Sequence, residues 1–337
     1  MRRGSILQLV GLGILFGGLA TLVAVLIPWL PPVASRQRDR IDFVFWFTTG
    51  IAIAVFALVA AVIAYSIIKF RVQPDDDSDG PPIHGNTTIE IVWTAVPAVL
   101  VTAISIVSSI ALVKNENVPK DHLDVNVTAR QFAWSFSYPN QGNLTSSQLR
   151  LPLNKTVKLH LRALDVIHSF WVPEFGQKED AVPGQDTSLV ITPTKEGTYP
   201  VICTELCGLG HALMRSSAIV MKPAAFEAWV QEQKNAAKGP PGQAGQAVFT
   251  SNGCASCHTL KAAGATGTVG PDLDKLPAYA QQAGKPLEDF VKESIVDPNA
   301  YVQPGFPKNL MPSFSTLTKD QLDALVAFLV DSSKGAS

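Results

Sequence analysis

The chain has 337 residues, 47% of them hydrophobic and only 16% charged, and 27 Lys+Arg against 28 Asp+Glu leave a formal net charge of −1. Soluble domains carry about a quarter charged residues, so part of this chain sits in lipid, and the near-zero charge excludes the basic footprint of a nucleic-acid binder. Four Cys are too few for a disulfide framework, and the length suggests two or three domains.

Three runs in the first third, Ile6–Ile27, Phe43–Ile68 and Ile91–Val113, hold no Asp, Glu, Lys or Arg and are long enough to span a bilayer. The first follows Arg2 and Arg3 and precedes Pro28, Pro31, Pro32 and Val33-Ala34-Ser35. It reads equally as a signal peptide or as an uncleaved anchor. Lys69 and Arg71 place the loop to Glu90 in the cytoplasm by the positive-inside rule. The third span then delivers everything after Lys114 to the outer side.

From Asp121 to Lys222 the pattern changes to short alternating runs. Leu123–Thr128, Thr156–Leu161, Ser188–Thr192 and Ser216–Met221 read as half-buried strands of an antiparallel sandwich or small barrel. Near its end stands Cys203-Thr-Glu205-Leu-Cys207-Gly-Leu-Gly-His211-Ala-Leu-Met214. Soft thiolate and thioether ligands select copper, and imidazole suits it too. Two glycines and strand-like flanks argue against a helix here, so a loop between adjacent strands gathers these side chains. His168 is placed to supply a second imidazole, although a lone His beside apolar residues is more often structural.

Ala224–Ala237 reads as a helix, and Lys238-Gly-Pro-Pro-Gly-Gln reads as a linker. The remainder is helical and loop-rich. Cys254-Ala-Ser-Cys257-His258 is the attachment motif of a c-type haem, two thiols for the vinyl groups and an adjacent imidazole for the iron. A zinc site would need further ligands, and this segment holds no other Cys or His. Its one methionine, Met311 before Pro312, is the candidate second axial ligand. Thr318 and Gln321 form a capping-box start to a final helix that presents Leu322, Leu325, Val326 and Leu329. Amino-terminal helix, C-x-x-C-H, Gly270-Pro-Asp-Leu, Met311-Pro and closing helix together resemble a class I cytochrome c.

The stretch from His84 to Met214 resembles subunit II of cytochrome c oxidase. The motifs that carry this are His84-Gly-Asn-Thr with Glu90-Ile-Val-Trp93-Thr and Pro97, Gln131-Phe-Ala-Trp134-Ser-Phe-Ser-Tyr138-Pro, Asp165 with His168-Ser, Lys178-Glu-Asp180-Ala-Val-Pro183-Gly184, and the Cys203–Met214 loop. With the C-terminal segment added, the resemblance is to oxidases whose subunit II carries a fused cytochrome c, and it covers all but the first forty or so residues. The family also includes quinol oxidases that have lost the copper, whereas this chain keeps every ligand position.

The resemblance implies a multidomain membrane protein. Residues 1–34 would be a signal peptide or anchor, 35–115 a transmembrane helical hairpin, and 116–223 a cupredoxin-like Greek-key β-barrel. Residues 224–242 would be helix and linker, and 243–337 an all-α class I cytochrome c domain. Cys203 and Cys207 would bridge a dinuclear copper centre, CuA. His168 and His211 would cap it, with Met214 and the Glu205 carbonyl as weaker ligands, and the Glu205 carboxylate is a candidate for a magnesium at the subunit I interface. Cys254 and Cys257 would hold covalent haem c, with His258 and Met311 on the iron. Glu90 matches a glutamate at the mouth of a proton-uptake pathway, although by itself it reads as a helix-start carboxylate. The family's electron-accepting tryptophan matches Phe132 here. Phe132 and Trp134 read equally as an electron path or as β-domain core.

The function implied is electron transfer in a proton-pumping oxidase of the bacterial cell membrane, from haem c to CuA and on to subunit I, which reduces oxygen. Subunit III would be a further partner, with a quinol–cytochrome c oxidoreductase or a small cytochrome c as donor. Residues 121–233 hold nine basic against eleven acidic side chains and residues 243–337 seven against nine, which steers no basic partner strongly. The alternative is a tethered redox carrier or copper-binding module without an oxidase partner. Nitrous oxide reduction would need a His-rich cluster, and His84, His122 and His160 are scattered along the chain.

Overall fold

The computed structural model describes residues 3–71, 82, 84–142, 144–237, 239, 241–315 and 317–334. Most of the loop that follows Arg71, and Lys238 and Pro240 of the expected linker, lie outside the described residues. The chain forms two compact units, Met1–Pro32 with Asp39–Glu116, and Val33–Arg38 with Asn117–Ser337.

The first unit is built on helices α1 (Arg3–Leu26), α2 (Arg36–Lys69) and α3 (Thr87–Glu116), all long and apolar enough to cross a membrane. Near the start of α2, Arg40 Nη1 donates to the Lys114 carbonyl (2.9 Å) and to Asn115 Oδ1 (3.0 Å) at the end of α3, so these two run antiparallel. A reciprocal capping box starts α3. Asn86 Oδ1 accepts from the Ile89 N–H (3.2 Å), and the Glu90 carboxylate accepts from the Asn86 N–H (3.1 Å).

The second unit contains a sandwich of two five-stranded sheets. Its strands are β1 (Leu123–Arg130), β2 (Ala133–Tyr138), β3 (Leu144–Ser146), β4 (Leu149–Pro152), β5 (Val157–Ala163), β6 (His168–Trp171), β7 (Lys178–Ala181), β8 (Thr187–Ile191), β9 (Gly197–Cys203) and β10 (Arg215–Met221). One sheet runs β3-β2-β1-β5-β8 and the other β4-β10-β9-β6-β7. The expected antiparallel pairing is corrected at two places: β1 pairs parallel with β5, and β10 with β4. Both partners are distant in sequence, so hairpin logic does not reach them. The alternation in the sequence shows directly as burial. Leu123, Val125 and Val127 of β1 meet Leu159 and Leu161 of β5 in the core, and the intervening residues face outward.

Two segments outside the sheets complete this core. Helix α4 (Pro223–Ala237) sets Phe226 and Trp229 against Tyr138, whose ring lies 5.2 Å from that of Trp229. Val33–Arg38 joins from the N-terminal side. Ala34 and Ser35 are fully buried, the Ala34 N–H donates to the Glu174 carbonyl (3.0 Å), and Ser35 Oγ donates to the Phe175 carbonyl (2.9 Å).

The C-terminal part has its own core. Helix α5 (Pro241–Ser251) leads to the helical turn α6 (Cys254–Cys257), the two-residue strands β11 (Thr259–Leu260) and β12 (Ala265–Thr266), then α7 (Leu276–Gln282), α8 (Leu287–Val296) and α9 (Lys319–Lys334). The expected linker is cut short, because α5 already starts at Pro241, where a fixed φ suits the first helical position. The capping box of α9 forms as expected: Thr318 N–H donates to Gln321 Oε1 (3.1 Å), and Gln321 N–H donates to Thr318 Oγ1 (3.3 Å). Helices α5 and α9 cross at Gly245, where a Cβ would collide with the Ala324 carbonyl oxygen and the Phe328 Cβ.

Candidate metal and haem sites

The Cys203–Met214 loop joins β9 to β10, which pair antiparallel with Ile202 opposite Arg215. Cys203 and Met214 therefore sit on the closing rung, where the Cys203 N–H donates to the Met214 carbonyl (3.3 Å). Thr204 N–H donates to the Ser169 carbonyl (3.0 Å), tying the loop to β6, and Phe170 of β6 pairs with Cys203. That register brings His168, from far earlier in the chain, beside the two cysteines. Cys203 Sγ lies 3.9 Å from Cys207 Sγ and 3.9 Å from His168 Nδ1. Cys207 Sγ lies 3.6 Å from His211 Nδ1 and 3.8 Å from Met214 Sδ, and the Glu205 carbonyl oxygen is 3.3 Å from Cys203 Sγ. His168, Cys203, Cys207 and Met214 are buried, while the Glu205 side chain is exposed.

The electrostatics suit a soft cation. His168 Nε2 donates to Asp165 Oδ1 (2.8 Å), which leaves Nδ1 with its lone pair toward the sulfurs. Burial opposes the charge of Asp165, but hydrogen bonds from the Gln131 N–H (2.6 Å), His168 and the Val166 N–H hold its pKa below the usual value. Burial likewise opposes ionisation of Cys203, yet its contacts with His168, His211 and backbone groups lower its pKa. The Cys207 pKa is raised, by burial and then by the charge of Cys203. Two buried sulfurs thus resist a double negative charge until a cation neutralises them. Their spacing is what two metal–sulfur bonds of ~2.3 Å span. Thiolates, imidazoles and a thioether form a copper-selecting set. Among the described His, Cys, Asp and Glu residues, His168, Cys203 and Cys207 are the one group of three whose donor atoms all lie within 4.8 Å of one another.

In the C-terminal domain, Cys254, Cys257, His258 and Met311 line a single cavity of about 330 Å³. His258 is buried, and its Nδ1 donates to the Pro271 carbonyl (2.8 Å), so Nε2 keeps the lone pair an iron needs. Burial also lowers the His258 pKa, which keeps the ring neutral. The turn that supplies this carbonyl must be glycine. A Cβ on Gly270 would stand 2.5 Å from His258 Cε1, and one on Gly267 would stand 2.6 Å from the Cys257 carbonyl carbon. Phe290, Val291, Ile295 and Leu329 make much of the remaining wall apolar. Two thiols, an imidazole and a thioether around an apolar cavity fit a haem.

The other predicted residues separate. Trp134 is buried, its ring 6.2 Å from that of His168 and 5.5 Å from that of Phe170, so it belongs to the core beside the loop. Phe132 is half-buried over Gly208 and Gly210 of the loop and lines the cavity that holds Cys254 and Met311. Glu90 closes the capping box of α3. Two of the scattered histidines are in fact joined: on the outer face of β1 and β5, Asp124 Oδ1 lies 3.3 Å from His122 Nε2 and 2.9 Å from His160 Nε2. His84 is not among them. Sequence reasoning missed Arg130 and the side chain of Gln131, whose Nε2 donates to the Cys207 carbonyl (2.5 Å). A polar pair directly before Phe132 carries no spacing signal of its own.

Three family models match the chain in order. They are the transmembrane domain of cytochrome C oxidase subunit II over residues 24–111, its periplasmic domain over 144–222, and cytochrome c over 242–333. Cytochrome c oxidase subunit 2 of Synechocystis sp. is 33% identical over 248 residues, covering 60% of this chain and 74% of that one. Cytochrome c oxidase subunit 2 of Alkalihalophilus pseudofirmus is 31% identical over 295 residues, covering 83% and 82%. The crystal structure of the periplasmic domain of subunit II of cytochrome oxidase of Bradyrhizobium japonicum is 31% identical, with a TM-score of 0.34, covering 35% of this chain and 98% of that one.

Proposed function

We propose a route for electrons through this chain, which belongs to the cytochrome c oxidase subunit II family and carries a C-terminal cytochrome c domain. It is a membrane-bound electron-transfer subunit of a haem–copper oxidase, binds copper and haem, and works with subunit I. The finer assignment is our reading. Cys203, Cys207, His168 and His211, the last two through Nδ1, would hold a dinuclear CuA, with Met214 and the Glu205 carbonyl as weaker ligands. Cys254 and Cys257 would hold a covalent haem c, with His258 Nε2 and Met311 supplying its iron ligands. Bound there, the two groups supply one-electron chemistry at the donor side of subunit I.

The chain's own residues do the rest. Asp165 holds His168 in the tautomer that presents Nδ1, and Pro271 does the same for the opposite nitrogen of His258. Trp134 and Phe170 keep water from the His168 side of the loop. Around the loop, Val166, Ile167, Leu206 and Leu209 are exposed, Leu209 by 96%, and this apolar surface suits subunit I. Lys69 and Arg71 favour a cytoplasmic loop, with both redox domains on the outer side of a multi-pass chain. Within the same reading, Glu90 stands at a proton-uptake mouth of a proton-pumping complex. The Glu205 carboxylate would face a magnesium at the subunit I interface, subunit III would be a neighbour, and a quinol–cytochrome c oxidoreductase or small cytochrome c would be the donor.

The observation that carries this reading is the meeting of five ligand side chains from one loop and one distant strand at sulfur contacts under 4 Å. Its test is the complex purified in mild detergent. Cys207→Ser abolishes the near-infrared copper absorption and leaves the haem c spectrum. An unchanged copper band overturns the ligand set, and a preparation without oxygen uptake overturns the oxidase assignment.

A further inference from the structure

Where β1 turns into β2, the last residue of β1, Arg130, and the two turn residues, Gln131 and Phe132, each grip something different. Arg130 sets its guanidinium 4.1 Å from the centre of the Phe314 ring, and its Nη1 reaches to 3.5 Å from the Ser313 carbonyl oxygen. Both partners follow Met311 in the haem domain. Gln131 holds the copper loop by its side chain, on the Cys207 carbonyl, and by its N–H holds Asp165, which in turn holds His168. Phe132 lies on bare backbone, since a Cβ on Gly210 would run into its ring, and the same ring lines the haem cavity.

We infer that this turn is the clamp that holds the haem domain in its electron-transfer pose on the copper domain, and that Arg130 is the positioning residue of that clamp. A tethered domain that swung on the linker after α4 would need none of these contacts, and their chemistry is that of a fixed interface. A guanidinium is planar and weakly hydrated, so it stacks on an aromatic ring without the desolvation loss of an ammonium. Burial opposes the charge of Arg130 and lowers its pKa, while the carboxylate of Asp165 favours the charge. Elsewhere on the interface, Ser147 Oγ donates to the Thr250 carbonyl (2.9 Å) at the end of α5, and this contact resists pivoting about Arg130. One short turn therefore sets two distances together, copper ligands to loop and haem-domain wall to loop.

The inference rests on the electron route proposed above, and its test separates the two. Full-length complexes carrying Arg130→Ala, Arg130→Lys and Ser147→Ala are compared with the unaltered complex. Three readouts are taken: hydrogen exchange of the amides of residues 309–315, the haem midpoint potential, and the rate at which photoreduced haem c reduces the copper. Arg130→Ala is expected to deprotect those amides and slow the transfer by about tenfold, between the size of an exposed and of a fully desolvated cation–π contact, at unchanged potential and copper absorption. Lys retains the charge but not the stacking and recovers only part of the rate. Ser147→Ala shifts both readouts in the same direction by less. Wild-type exchange and transfer in all three variants overturn the clamp and leave the route standing. A lost copper or haem band in the unaltered complex overturns the route itself.

Discussion

In the β-sandwich, the proposed metal ligands arrive on one loop plus a single histidine, and although Cys203, Cys207 and Met214 pack into the core, most of that core is made by side chains that are not ligands. Val125, Val127, Phe136, Leu159 and Leu161 are fully buried among themselves. In the haem domain the order is reversed. The candidate ligands come from α6, from the residue after it and from the loop before α9, and the cavity they share is walled by the side chains that form the core, Phe290, Ile295, Leu325 and Leu329. A pair of ions can be gathered by a local loop, whereas a large flat group must be enclosed by a domain. The stability of the two regions should therefore depend very differently on what they bind.

The largest effect expected from this contrast is on folding. Cys254→Ser with Cys257→Ser prevents haem attachment. At ~24 cal/mol per Å³, a cavity of about 330 Å³ corresponds to an upper figure of roughly 8 kcal/mol, reduced by collapse of the helices. Thermal unfolding followed by circular dichroism should show the helical transition lost, while Cys207→Ser leaves the sheet transition in place. Equal losses on the two sides would break the comparison. Next, Met311→Ala removes the thioether that raises the haem potential, and redox titration should show a fall on the order of a few hundred millivolts. An unmoved potential would place the sixth ligand elsewhere. Smallest is Gly245→Ala, which forces α5 away from α9 at the Ala324 carbonyl. Chemical denaturation should show a loss of about 1–3 kcal/mol confined to the haem domain, and a neutral result would mean that the helices part freely at this crossing.

Much of this was legible in the chain because the signals are local. The C-x-x-C-H motif, the Cys203–Met214 loop and the Thr318–Gln321 capping box each depend on neighbours within a few residues. The spans depend only on length and missing charge. The alternation of β1 and β5 was equally plain, but their parallel pairing was not, since register across distant strands leaves no trace in either strand alone. Gly245 looks like an ordinary helix-weakening residue until α9 crosses it. His160 looks unrelated to His122 until the β1–β5 register sets it against Asp124, two residues from His122.

By itself, then, the sequence determined the kinds of element and the chemistry of the ligands, because periodicity, missing charge and soft-ligand spacing act along the chain. Only the tertiary structure shows His168 beside Cys203, because its approach is set by pairing between β6 and β9. It alone put Phe132 between the loop and the haem cavity and Arg130 over Phe314, because those contacts join segments separated by long stretches of chain. Composition prescribes what must be buried; the order in which sheets and helices pack decides what is buried against what.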